Sequence, residues 1–236
     1  MKLEAVLFDL DATLLPMDQD KFIEQYFKTL TSKMSAHGYE PRELAKNLWT
    51  AVMAMVKNTG EVTNEEAFWN TFSCAYAEKA LADKCYHQDY YENYFDECKK
   101  TCGYNEESKK LIKKLKSKGI KVILATNPVF PSIATEKRMI WAGLDKNDFE
   151  LYTTYENSSY CKPNPMYYAE ITEKLGLNPE NCLMVGNDTT DDMSASEIGM
   201  KTFLLTDCLI NSKNVDISQF NNGNFKELND YIDSLI

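Results

Sequence analysis

Two aspartates, Asp9 and Asp11, stand two residues apart in the stretch VLFDLDATLLP, at the end of an apolar run that reads as a strand. In an extended chain side chains alternate faces, so both carboxylates point the same way and repel unless a cation, a proton or a substrate compensates them. Standing alone, such a pair reads as turn residues ending a strand. It does not stand alone. Thr126 and Asn127 follow the apolar run VILA, Lys162 lies before a proline in a loop that opens a helix, and Asn187 and Asp188 follow LMVG, with Asp191 and Asp192 close behind. Each has an ordinary reading too: Thr126 ends a strand, Lys162 is an exposed loop lysine, and Asp191 and Asp192 are first-turn acids favoured by a helix dipole, the account preferred for Asp191. The joint occurrence is what asks for chemistry.

Composition narrows what that chemistry is. The chain has 236 residues, 44% of them hydrophobic, enough for a sizeable core. A net charge of -10 argues against a nucleic-acid binder, because phosphate backbones attract basic faces. Glu4, Asp9 and Asp11 interrupt any signal-peptide core, and no uninterrupted apolar run approaches a membrane span, so the sequence reads as cytoplasmic, with no membrane partner. Seven cysteines, an odd number with no Cys-x-x-Cys pair, do not suit a disulfide framework. Cys98 and Cys102 stand four apart on an expected helix and read as small residues of one face. The two histidines, His37 and His87, have no second candidate ligand at metal-binding spacing. Oligomeric state leaves no mark in the sequence.

The elements that must position these residues fall into two grammars. After the opening strand, residues 17–104 read as helical, with apolar residues at helical spacing in DKFIEQYFKTLTSKM and PRELAKNLWTAVMAMV, a Thr63–Glu66 capping box, and a fourth aromatic stripe in YYENYFDECKK. From Glu106 onward helices and strands alternate. EESKKLIKKLKSKG ends at Gly119 before IKVILATN, a helix is expected over about 131–142, FELYTTY is strand-like, and Asn164 and Pro165 open a helix that closes at Gly176. NCLMVGN and MKTFLLTD are two more strands, joined by a helix through DDMSASEIG. Five strand runs with helical connections imply an α/β protein: a Rossmann-like, mainly parallel sheet with helices on both faces, plus an inserted all-helical unit. The expected division is 1–16 and 105–236 for the sheet domain and 17–104 for the insert. In open sheets of this kind ligands gather at the C-terminal strand ends, where all the singled-out polar residues lie. No Gly-x-Gly-x-x-Gly or Walker lysine loop is present.

The segments DLDAT, ATN, CKPNP and GNDTTDD, in this order, resemble the four motifs of the haloacid dehalogenase superfamily, and the helical insert after the first resembles its C1-type cap. The resemblance spans essentially the whole chain. It implies a phosphatase in which Asp9 is the nucleophile forming an aspartyl-phosphate and Asp11 protonates the leaving group and then activates water. Thr126, with the Asn127 amide, would hold a phosphoryl oxygen, and Lys162 would neutralise the phosphate and Asp9. The cofactor implied is Mg²⁺, on the Asp9 carboxylate, the Asp11 carbonyl and the Asp188 carboxylate, with Asp192 supporting Lys162 or a metal-bound water. Two positions depart from the common pattern. Ala12 replaces the usual glycine, a change expected to be tolerated if its φ is negative, and Asn187 replaces the first acid of the fourth motif. Asp11 speaks against dehalogenation itself. The substrate expected is a small phosphorylated metabolite. A phosphosugar mutase or phosphonate hydrolase of the same superfamily is an alternative that would draw on cap cations such as Lys21, Lys28, Arg42 or Lys46. A receiver-like signalling module or a non-catalytic phosphate sensor is the alternative from a different class.

Overall fold

The computed structural model describes residues 3–236. Six strands form one sheet: β1 (Ala5–Phe8), β2 (Lys121–Leu124), β3 (Leu151–Tyr152), β4 (Cys182–Gly186), β5 (Lys201–Leu205) and β6 (Asn221–Gly223). Their order is β3-β2-β1-β4-β5-β6 and every pairing is parallel. The α/β fold expected from the sequence is therefore present. β6 is additional, and its polar NNG sequence gives it no strand signature.

The central strand explains the architecture. All four residues of β1 are buried, as a parallel strand covered on both faces requires. Val6 and Phe8 pack into one core with the helices α6 (Glu106–Ser117), α7 (Ser132–Trp141) and α9 (Phe225–Leu235). Ala5 and Leu7 pack into another with Tyr167, Tyr168 and Ile171 of α8 (Pro165–Leu175). The chain leaves β1 toward β2 and β3 on one side, then returns to β4 on the other. β1 and β4 therefore flank the point where the strand order reverses, and a crevice opens there above their carboxyl ends.

Between β1 and β2 lie α1 (Gln19–Ser35), α2 (Pro41–Val56), α3 (Asn64–Tyr76), α4 (Glu78–Ala82) and α5 (Lys84–Asn93), then a 3-10 segment over Phe95–Thr101. The Thr63–Glu66 capping box is formed. The fourth helix expected through YYENYFDECKK is divided instead between the end of α5 and the 3-10 segment, with α4 a separate short helix before it, so Cys98 lies on a 3-10 turn and Cys102 just beyond it. The insert is joined to the sheet by a narrow neck: Met17 pairs antiparallel with Cys102, and the Gly103 amide donates to the Pro16 carbonyl at 2.7 Å. Residues Met193–Ile198 form a 3-10 segment rather than the expected helix, ending at Gly199 with φ of 89°. Among the described residues no helix is long and apolar enough to cross a membrane.

Candidate active site

Asp9 is the first residue beyond β1, held by its amide to the Val185 carbonyl at 2.9 Å. Its Oδ1 accepts from Lys162 Nζ at 2.8 Å. Thr13 Oγ1 lies 3.3 Å from Asp9 Oδ2 and 3.0 Å from Asn187 Oδ1, so one hydroxyl proton serves two acceptors from different strand ends. The Asn187 amide in turn donates to the Cys208 carbonyl at 2.8 Å. Lys162 is 2% exposed and also donates to Asp192 Oδ1 at 2.6 Å. Local sequence puts it there: Lys162 ends the loop before Asn164, which caps α8 with Pro165 at its first turn. Asp192 reaches the lysine because residue 186 is glycine; a Cβ at Gly186 would lie 2.1 Å from the Asp192 carboxyl group. The second oxygen of Asp192 accepts from the Asp188 amide at 2.9 Å.

The two aspartates of the opening motif do not stay together as an extended chain would have them. β1 ends at Phe8, and the chain turns, with the Thr13 and Leu15 amides both donating to the Leu10 carbonyl. Asp9 then faces Lys162, while Asp11 forms an ion pair with Arg138 of α7. Ala12 occupies this turn with φ of 61°, so the negative φ expected of an alanine is not kept. The turn demands it: the Ala12 amide must reach the Leu15 carbonyl at 2.8 Å, and the left-handed conformation supplies that direction at a steric cost to a Cβ.

Burial dominates the electrostatics. It pushes the Asp9 carboxyl up to about 7, against the pull of Lys162, with Asp192 and Asp11 adding to the rise. Burial also raises Asp11, opposed chiefly by Arg138. Asp191 rises to about 6, again through burial, with Lys162 opposing. Asp9, Asp11, Asp188, Asp191 and Asp192 line one pocket of about 210 Å³ with Thr126, Asn127, Asn187 and Lys162. All the residues singled out in the sequence are thus brought to one crevice.

Two neighbours of this pocket were not foreseen as part of it. Asp191, read from the sequence as a helix-end acid, makes no capping bond to the 3-10 segment; it lines the pocket and accepts from Asn127 Nδ2 at 3.4 Å. Arg138 is 1% exposed, lies over the Phe130 ring at 4.5 Å, and bonds Thr135 Oγ1 at 3.3 Å. Its signal was present in the pattern: Ala134, Thr135, Arg138 and Met139 share the buried face of α7, and a charge in a core position calls for a buried partner. On the other side Thr126 is anchored by its carbonyl, which accepts from Thr153 Oγ1 at 2.6 Å and from the Tyr167 hydroxyl at 2.8 Å.

The donors suit a hard cation. Asp11 Oδ1 is buried without a hydrogen-bond partner, and five aspartates share the site with only two cations. Among the described residues no three His, Cys, Asp or Glu side chains form a ready metal cage. Magnesium asks for less, using one or two carboxylates and retaining waters. Asp9 and Asp188, which line the same pocket, are carboxylates that could hold such an ion.

The family profile described as haloacid dehalogenase-like hydrolase matches residues 6–205. The chain belongs to the haloacid dehalogenase-like hydrolases. A Clostridium perfringens protein provisionally named pyrophosphatase PpaX is 28% identical over 200 residues, 85% of this chain and 82% of the relative. An Aquifex aeolicus phosphoglycolate phosphatase is 25% identical over 202 residues, 86% of this chain and 84% of the relative. Among solved structures, a hydrolase of the family, YfnB from Bacillus subtilis, described as bound to magnesium, covers 98% of this chain and 99% of its own, with a TM-score of 0.55 at 18% identity. The chain is thus a hydrolase of this family, and the two sequence relatives above are phosphatases by name.

Proposed function

We propose that this haloacid dehalogenase-like hydrolase is a magnesium-dependent phosphomonoesterase that works through an aspartyl-phosphate on Asp9. The observation that carries the reading is a buried carboxylate at the sheet's switch point, held at 2.8 Å by an equally buried lysine, with a second aspartate across the same pocket. Magnesium, held by Asp9, Asp188 and the Asp11 carbonyl, would offset the negative charge of the phosphate oxygens.

Lys162 opposes the burial that raises Asp9 and so favours its carboxylate, which attacks phosphorus as the ester P–O bond breaks. Thr126 and the Asn127 amide hold phosphoryl oxygens in line, and Asp192 fixes Lys162 between them. Burial raises Asp11, which suits it to deliver a proton to the departing alkoxide. The resulting carboxylate, facing Arg138, then takes a proton from the water that hydrolyses the aspartyl-phosphate. Residues 17–104 serve as the cap: Gln19, Phe22 and Ile23 of α1 line the pocket with Asp9 and shield it from water.

Plain hydrolysis is preferred over mutase or phosphonatase chemistry because none of Lys21, Lys28, Arg42 and Lys46 lines the pocket; Lys21 is spent on Asp18 at 2.8 Å. The named activities of the relatives suggest a small phosphorylated substrate, and seven free cysteines suit a reducing cytoplasm. The test is phosphate release from a panel of small phosphomonoesters with and without Mg²⁺. Turnover should need the metal and vanish in Asp9→Asn; turnover that survives Asp9→Asn would refute the mechanism.

A further inference from the structure

Beside the catalytic pocket lies a second cavity, of about 380 Å³, between the helical insert and the start of α7. The two share a wall. Val129 lines both, and one turn apart on α1 Phe22 faces the catalytic pocket while Tyr26 faces the cavity. The Tyr26 ring centroid is 5.2 Å from that of Phe130, which lines the catalytic side. The volume is that of a small-molecule site rather than a packing defect.

Its lining has a definite chemistry. Tyr26, Phe27, Phe68, Trp69, Tyr91 and Tyr155 present aromatic surface from three helices and a loop. The charged residues of the wall are already paired: Lys84 holds Glu65 at 2.6 Å, and Glu156 accepts from the Ser132 amide at 2.9 Å. No cation of the wall is left for a second phosphate or carboxylate. Two residues of the wall carry an unexplained polar atom, Trp69 at Nε1 and His87 at Nε2, each buried without a hydrogen-bond partner. His87, 5% exposed, has Nε2 buried without a hydrogen-bond partner, and burial pushes its imidazole down to about 4, so it is neutral near pH 7. A neutral imidazole nitrogen seeks one hydrogen bond, and Gln88 stands beside it in the same wall.

We propose that this cavity receives the leaving group of the substrate, and that the leaving group carries a planar heteroaromatic ring with a hydrogen-bonding edge, of the nucleobase kind. The proposal rests on the phosphatase reading for the position of the phosphate, and adds the class of alcohol that it esterifies. Aromatic walls give a ring its stacking surface, and the polar side chains of Gln88 and His87 in the same wall serve its polar edge. The small anionic leaving groups implied by the relatives' names would leave this cavity unfilled.

The experiment compares kcat/KM for AMP and UMP with that for benzyl phosphate, glycerol 3-phosphate and 2-phosphoglycolate, in wild type, Val52→Trp and His87→Phe. Val52 is half-buried on α2 in the cavity wall, so tryptophan there fills the space without entering the catalytic pocket. In wild type a nucleotide should exceed glycerol 3-phosphate by about ten-fold or more. Val52→Trp should erase that preference by lowering nucleotide turnover about ten-fold more than turnover of glycerol 3-phosphate, whose leaving group is far smaller. His87→Phe should lower the nucleotides toward benzyl phosphate. Calorimetric titration with adenosine and uridine reads the cavity apart from catalysis, and should give binding that Val52→Trp abolishes. Turnover without aromatic preference, or a preference that Val52→Trp leaves intact, overturns the proposal while the phosphatase reading stands. Nucleoside binding sensitive to Val52→Trp, with no turnover of any ester, supports the cavity assignment and overturns the phosphatase reading instead. Absence of both nucleoside binding and nucleotide preference overturns the cavity assignment.

Discussion

Asp9→Asn should stabilise the metal-free protein while it removes activity. Asp9 is 7% exposed and its carboxyl is pushed from 3.8 up to about 7, chiefly by burial. Because the folded value lies above the unfolded one, the folded state binds more protons across that interval. Stability is therefore full below about pH 3.8, falls as pH rises toward 7, and is flat above. At about 1.4 kcal/mol per pH unit, the raised carboxyl costs about 4 kcal/mol at pH 8, where it is ionised in both states, and about 2 kcal/mol at pH 5.5, where folding must protonate it. An asparagine carries no such cost at either pH, and Lys162 keeps Asp192 at 2.6 Å as its partner. For a domain of this size about 1 kcal/mol moves Tm by roughly 2–4 °C, so the variant should melt about 8–16 °C higher than wild type at pH 8 in chelator. That advantage should halve at pH 5.5. The burial of His87 and the other raised carboxyls is common to both proteins and cancels in the difference. Scanning calorimetry of both proteins, with and without magnesium, is the assay; added magnesium should raise the wild-type Tm more than that of the variant. A variant that melts below wild type at pH 8 in chelator, or an advantage unchanged at pH 5.5, refutes the claim that burial of an ionised Asp9 strains this site.

Three other outcomes are expected. Lys162→Met leaves Asp9 and Asp192 buried without their cation and should cost about 3–5 kcal/mol in urea unfolding, with part of the loss recovered in the double variant with Asp9→Asn. Arg138→Gln frees Asp11 from its anchor and should lower kcat for an alkyl phosphate by about ten-fold more than for p-nitrophenyl phosphate, whose departing phenolate needs no proton; equal losses on both would show that Arg138 only supports the fold. Ala12→Gly relieves a Cβ at φ of 61° and should add about 0.5–1 kcal/mol to unfolding stability by denaturant titration, with kcat unchanged.

What the sequence made legible follows from how local each signal is. Asn164 with Pro165, the Thr63–Glu66 box and the buried run of β1 are decided within a few residues, and all three form as their patterns predict. The convergence of Asp9, Thr126, Lys162 and Asp188 was legible because strand ends in a parallel sheet share one edge, whatever the details of packing. Other features depended on distant partners. The direction of Asp11 is set by an arginine 127 residues away in sequence. β6 gains its strand geometry from pairing with β5 rather than from its own residues. Asp191 looked like a helix-end acid because its sequence neighbours are those of a helix start, yet the segment after it tightens into a 3-10 turn. The left-handed Ala12 was misread because alanine disfavours that conformation, and only the turn's closing bond imposes it.

The neck at Met17 and Cys102 has a consequence for how such a chain can change over generations. Because the two ends of the helical insert are already paired by main-chain bonds, the sheet sees the same short crossing whatever lies beyond it. Closing a longer or shorter excursion costs little, about 0.6 kcal/mol for each doubling of length. Helices can therefore be lengthened, split or exchanged above the neck, as the break between α4 and α5 illustrates, without a register shift in β1. The chemistry below is inherited as a fixed stock, and the shape of what reaches it is the part free to drift.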